Sequence, residues 1–141
     1  MRNRPCLTRD DAQRIIAAAR AEAEANGWPV TIAVADDGGH LLALERLDGC
    51  PAASAYIAPE KARAAALGRR ETRIYEEMIN AGRVSFLSVP VLQGMLEGGV
   101  PVLVDGQLAG SVGVSGVKAA EDGQIARAGI AALALDAPQA S

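Results

Sequence analysis

The chain has 141 residues, a length that fits one domain and excludes a (β/α)8 barrel or a two-half dinucleotide-binding enzyme. Half of the residues are hydrophobic and 22% are charged, the balance of a folded globule rather than a disordered chain. The net charge of −3 argues against a nucleic-acid or anionic-membrane partner, and the 3% of aromatic residues against a base-stacking platform.

Thr8-Arg9-Asp10-Asp11 reads as a helix start, with Thr8 capping free N–H groups and the two aspartates meeting the positive end of the helix dipole. Ala12, Ile15, Ile16, Ala19 and Ala23 then recur at helical spacing, and Gly27 with Pro29 ends the segment. Val30 to Ala35 is strand-like. Asp36-Asp37-Gly38-Gly39 is a turn, and Leu41 to Leu47 is a second strand, so the pair reads as a β-hairpin. Ala52 to Leu67 is an alanine-rich helix that Pro59 is expected to kink or restart and Gly68 to close. Thr72 is the expected cap of a shorter helix through Asn80, ended by Gly82. Arg83 to Gly99 is too long for a plain loop and is expected to hold a short strand or one helical turn. Pro101 to Val104 and Gln107 to Val114 flank Asp105-Gly106, the signature of a type I′ hairpin. Gly110 and Gly113 inside the second of these strands predict a bulge or a close backbone approach. A last helix is expected over Ala120 to Leu135, with Ile125, Ala128, Gly129 and Ala132 on one face and a frayed tail around Pro138.

Hairpins separated by helices predict an α+β fold in which an antiparallel sheet is flanked by helices, in a single domain over residues 1–141. Small side chains bury little area each, so a domain rich in alanine and glycine gains from covering its faces with a second copy. This favours a homo-oligomer. Cys6 and Cys50 form no CxxC and read as free thiols of a reducing compartment. Met1 to Thr8 is polar and basic rather than a secretory leader, and no apolar run approaches membrane-spanning length. The expected location is the cytoplasm.

Few residues offer chemistry. His40 is the single imidazole, placed beside a Gly-Gly turn near a hairpin tip. Arg46 and Asp48 stand where the second strand ends, Lys61 on the following helix and Asp122 at the start of the last one. An arginine and a lysine converging on a pocket suit a carboxylate or propionate, although each charge alone also reads as a solvated ion or a surface pair. Gly110 to Gly116 has neither a P-loop ending nor a GxGxxG pattern. Its Ser115-Gly116 amides suit an anion nest, or simply a tight strand exit packed under a helix.

Asp36-Asp37-Gly38-Gly39-His40-Leu41-Leu42, Arg46-Leu47-Asp48-Gly49, Lys61-Ala62, Gly99-Val100-Pro101, and Gly113-Val114-Ser115-Gly116 followed by Asp122 and Ile125-Ala126 occur in that order. In combination they resemble the GlcG/HbpS family, the haem-degrading domain family that includes the C-terminal domain of PduO-type proteins. The resemblance runs from about Leu7 to Leu135. It implies a profilin-like fold with a central antiparallel sheet of about five strands, the fifth hidden in Arg83–Gly99. It also implies dimers or larger assemblies up to octamers, and the binding of haem or related tetrapyrroles by several members. Carried over residue by residue, His40 matches the turn histidine and a metal contact. Arg46, Asp48 and Lys61 match polar positions around the pocket, and Ser115, Gly116 and Asp122 match the C-terminal block. One departure stands out: Lys61-Ala62-Arg63-Ala64-Ala65 lacks the threonine that the family usually carries at the position of Ala64.

Three readings follow. The first is an oligomer binding haem or a similar small anionic ligand. His40 would be the iron ligand, with Cys50, Tyr56 or Met95 as substitutes, and Arg46, Lys61 and Arg69 would face propionates. The second is a catabolic enzyme, an isomerase or hydrolase acting on a small carboxylate. Arg46 and Lys61 would orient the substrate, with Lys61, Asp48, Asp122 or His40 in proton transfer and Ser115-Gly116 binding the ligand. The third is a non-catalytic assembly subunit.

Overall fold

The computed structural model describes residues 1–134. Its elements are α1 (Arg9–Asn26), β1 (Thr31–Asp36), β2 (Leu41–Arg46), α2 (Ser54–Gly68), α3 (Thr72–Asn80), a 3-10 turn (Val84–Ser88), β3 (Gly99–Val104), β4 (Gln107–Ser115) and α4 (Ala119–Ala131). The four strands form one antiparallel sheet in the order β2-β1-β4-β3, so both hairpins survive as neighbours and β1 joins them through β4.

Local chemistry explains the ends of α1. The Asp11 N–H donates to Thr8 Oγ1 at 3.1 Å and the Thr8 N–H donates to the Asp11 carboxylate at 2.9 Å, a reciprocal capping box. Gly27 closes the helix in the left-handed conformation. The predicted face of Ala12, Ile15, Ile16, Ala19 and Ala23 is the buried face.

Alternation along β1 divides the interior into two layers. Ile32 and Val34 face the main core, with α1, α4, Val112 and Val114. Ala33 and Ala35 face the other side, against Ala58 and Ala62 of α2. This second layer is thin because its side chains are small. At Gly113 a Cβ would overlap the backbone of Ala58 and Ala62, so the glycine is what lets α2 lie on β4. That is the close approach expected of Gly113. In the β3–β4 turn, Asp105 and Gly106 both have positive φ, 51° and 77°, as a type I′ hairpin requires.

Several expectations need correction. The sheet has four strands rather than about five, because Arg83–Gly99 holds the 3-10 turn and an irregular run instead of a fifth strand. Pro90 removes a ladder donor there, and Val84, Leu87 and Val91 remain exposed. Pro59 does not restart the helix: α2 runs continuously across it, with one hydrogen bond lost near the helix start. Gly68 does not close α2: the left-handed residue is Arg69, with φ 55°, while Gly68 stays helical where a side chain would run into the Tyr75 ring. Thr72 does not cap α3, whose N-cap is Glu71. The buried Thr72 hydroxyl instead donates to the Leu96 carbonyl at 2.5 Å and accepts the Gly99 N–H at 2.8 Å, fastening the irregular run to α3. The last helix ends at Ala131. Leu135 and the Pro138 tail lie outside the described residues.

Candidate functional site

The residues singled out from the sequence fall in three places. The first is the β1–β2 hairpin tip. There the Asp36 carboxylate accepts the N–H groups of Gly38 and His40, each at 2.9 Å, and faces His40 Nδ1 at 3.2 Å. Burial works against its charge, but those two N–H donors and the imidazole prevail and hold Asp36 below the usual carboxylate range. The His40 side chain is 81% exposed. Its Nδ1 edge faces Asp36, which leaves Nε2 on the opposite edge of the ring.

Beside the tip is a cavity of about 430 Å³, between the hairpin and one stripe of α2. Leu41, Leu67 and Val91 are apolar walls that remain exposed to solvent. Arg63 adds a guanidinium, loosely paired with Glu60 at 3.3 Å. An imidazole, a cation and apolar surface therefore share one hollow.

The second place is the far end of β2. Leu41 pairs with Ala35 and Arg46 with Thr31, so the strand separates His40 from Arg46 by roughly 17–20 Å. Arg46 and Asp48 line an open groove of about 730 Å³ with Arg20, Glu45 and Trp28. Arg20 is committed to Glu45 at 2.5 Å, and Arg46 donates to the Cys50 carbonyl at 3.4 Å. Cys50 is buried and free, with Ser54 Oγ 3.2 Å from its sulfur. Burial raises its thiol pKa, but Ser54, Thr31 and Arg46 outweigh this and leave it below the ordinary value.

The third place is interior. Lys61 Nζ donates to the Val114 carbonyl at 2.8 Å and to the Asp122 carboxylate at 3.1 Å, with each side chain 4% exposed. Gly98 covers the ammonium so closely that a Cβ there would lie 2.7 Å from Nζ. Asp122 also accepts the Val117 N–H at 3.2 Å. Burial pushes the Asp122 pKa up, and Lys61 and Val117 only partly offset it. Ser115 is buried opposite Thr31 in the sheet, and Gly116 leaves the strand packed against Pro29 and Val30.

The structure thus separates His40 from Arg46 and Asp48, and both from Lys61 and Asp122. Ala64, which stands where the family usually has threonine, is fully buried. Sequence reading missed Leu67, Val91 and the positioning role of Asp36, and noted Arg63 only as part of the departure from the family pattern. The α2 part was detectable: Pro59, Arg63 and Leu67 recur every four residues, one stripe beside the alanines that face the sheet.

Comparison with known proteins adds four likenesses. Residues 7–131 match the family described as haem degrading protein, HbpS-like. The chain is 60% identical over 115 residues to Protein GlcG of Escherichia coli K12, covering 82% of this chain and 85% of that one. Its structure is similar to that of a double mutant of Streptomyces reticuli HbpS, with TM-score 0.83 and 31% identity, over 94% of this chain and 90% of the other. It is also similar to the PduOC–haem complex, with TM-score 0.81 and 28% identity, over 90% and 94% of the two chains.

Proposed function

The chain belongs to the HbpS-like family, and on that premise we propose that it binds haem or a related anionic tetrapyrrole in the cavity at the β1–β2 tip. The observation that carries this reading is the meeting of His40, Arg63, Leu41 and Leu67 around one hollow. Its donors fit the group. An imidazole whose Nδ1 faces a carboxylate is the arrangement of an axial ligand, exposed leucines suit a macrocycle edge, and a guanidinium suits a propionate. Asp36 would orient the His40 ring, His40 would hold the iron through Nε2, Leu41 and Leu67 would lie against the macrocycle edge, and Arg63 would pair with a propionate. Bound haem would supply a redox-active iron. A solved relative carrying haem supports the ligand class.

We also read the protein as a cytoplasmic homo-oligomer. Both outer strands of the sheet, β2 and β3, carry exposed leucines, Leu41 and Leu44 on one and Leu103 on the other, and Cys6 and Cys50 are free thiols. The alternative of a catabolic enzyme on a small carboxylate has less support, because Arg46 and Asp48 share a groove while Lys61, its other orienting residue, is buried against Asp122.

Titration of the purified protein with hemin, beside His40→Ala, tests the haem reading by absorbance. The expected result is a saturable Soret shift at about one haem per chain, reduced in the variant. Saturation that the variant leaves untouched removes His40 as the ligand. The absence of any saturable shift overturns the haem reading.

A further inference from the structure

On the other side of Leu67 lies another hollow, of about 630 Å³. Four separate parts of the chain wall it: Arg2 and Arg4 from the N-terminal segment, Asp37 from the β1–β2 turn, Arg69 from the end of α2, and Gln107 from the start of β4. Three guanidiniums therefore gather in one place in a chain whose net charge is −3. The carboxylate on the wall, Asp37, is taken up by Arg4 at 3.6 Å. Among the described residues, Arg2 and Arg69 have no ion-pair partner.

Arg69 holds its position against backbone preference. Its φ of 55° is the left-handed conformation that glycine or asparagine usually supplies after a helix. A long cationic side chain kept there at a conformational cost calls for a gain elsewhere.

We infer that this hollow binds a small polyanion carrying two or more carboxylate or phosphate groups, held by Arg2, Arg4 and Arg69. A guanidinium meets either group through two parallel N–H···O bonds. Three arginines against one carboxylate leave two positive charges uncovered, which a dianion matches. The volume lies in the range of small-molecule sites. The site is separate from the hairpin-tip cavity, since the two share Leu67 alone, and each can be tested with the other empty.

Thermal unfolding of the whole chain tests this, with pyrophosphate and citrate as probes, at low ionic strength and without hemin. The expected result is a saturable rise in Tm, roughly 5–10 °C at about a hundred times Kd, with either or both probes. The rise should be lost in Arg69→Gly, weakened in Arg4→Gln and kept in His40→Ala. Glycine suits the left-handed position, so Arg69→Gly folds as well as the parent and isolates the guanidinium. A response to pyrophosphate alone assigns the site to phosphates, and a response to citrate alone assigns it to carboxylates. No saturable rise with either probe, or a rise that Arg69→Gly leaves unchanged, overturns the inference.

Discussion

Lys61 of α2 and Asp122 of α4 meet 3.1 Å apart at the end of the β4 strand, although their helices lie on opposite faces of the sheet. The Val114 carbonyl also accepts from the ammonium, at 2.8 Å. The pair ties the thin alanine layer to the main core at a point where neither charge can reach water.

Removing one partner leaves the other charge stranded in the interior. Lys61→Met should lower unfolding free energy by about 3–5 kcal/mol in chemical denaturation. The double variant Lys61→Met/Asp122→Leu should recover part of this, falling short of the parent by about 1–3 kcal/mol because the Val117 N–H loses its acceptor. A single variant as stable as the parent would show that the ion pair contributes nothing to holding the layers.

The two shifted aspartates should respond to acid in opposite directions. Asp36 has a depressed folded value, so its contribution is present above the ordinary carboxylate value and is lost as pH falls through the folded one. The wild type should therefore lose its advantage over Asp36→Asn below about pH 4. Asp122 has a raised folded value, so its contribution is present below the ordinary value and lost as pH rises through the folded one. Between those two values the wild type should gain on Asp122→Asn as pH falls. Denaturation of the three proteins across this range reads both signs, and parallel curves would contradict them.

Thr72→Val keeps the shape of the side chain but removes both of its hydrogen bonds. The Leu96 carbonyl and the Gly99 N–H are then left without a partner, at a cost of about 1–3 kcal/mol each where water cannot enter. Hydrogen exchange should speed up at Gly99 while α1 stays protected. Unchanged exchange at Gly99 would mean that the irregular run is held by packing alone.

Within the haem reading, His40 and Arg63 should fail differently. His40→Ala should alter the Soret maximum because it removes the iron's ligand. Arg63→Gln should weaken hemin binding several-fold, on the order of 1 kcal/mol, and leave the maximum in place. A shifted maximum in Arg63→Gln, with His40→Ala unaltered, would reverse these roles.

Much of the scaffold is legible from short-range chemistry. The α1 helix carries its start in Thr8 and Asp11 and its buried face in a 3.6-residue rhythm. The Asp105-Gly106 turn is read from two residues. The α2 helix hides its orientation, because alanine on nearly every side blurs the contrast between faces, and the stripe with Arg63 and Leu67 emerges only against the hairpin. Thr72 shows the limit most clearly. Its type suits a cap, and only partners more than twenty residues away turn the hydroxyl to another task. Arg46, Asp48 and Asp122 read as charges at element ends, which is where they lie, whereas Lys61 sits mid-helix in α2 and points into the interior. Which of them share a hollow depends on strand length and on which face of the sheet each helix takes.

The two-layer interior also gives the molecule two separate optical reporters. Trp28, the single indole, packs against the main core on the α1 side. Tyr56, Tyr75 and Phe86 belong to α2, α3 and the 3-10 turn. Indole emission therefore follows the thick layer, while Tyr75, buried beside Gly68 and Phe86, follows the junction of α2 with α3, and the exposed Tyr56 follows neither. Should the α2–α3 side loosen before the rest, Tyr75 would register the event while the tryptophan still reported a folded protein.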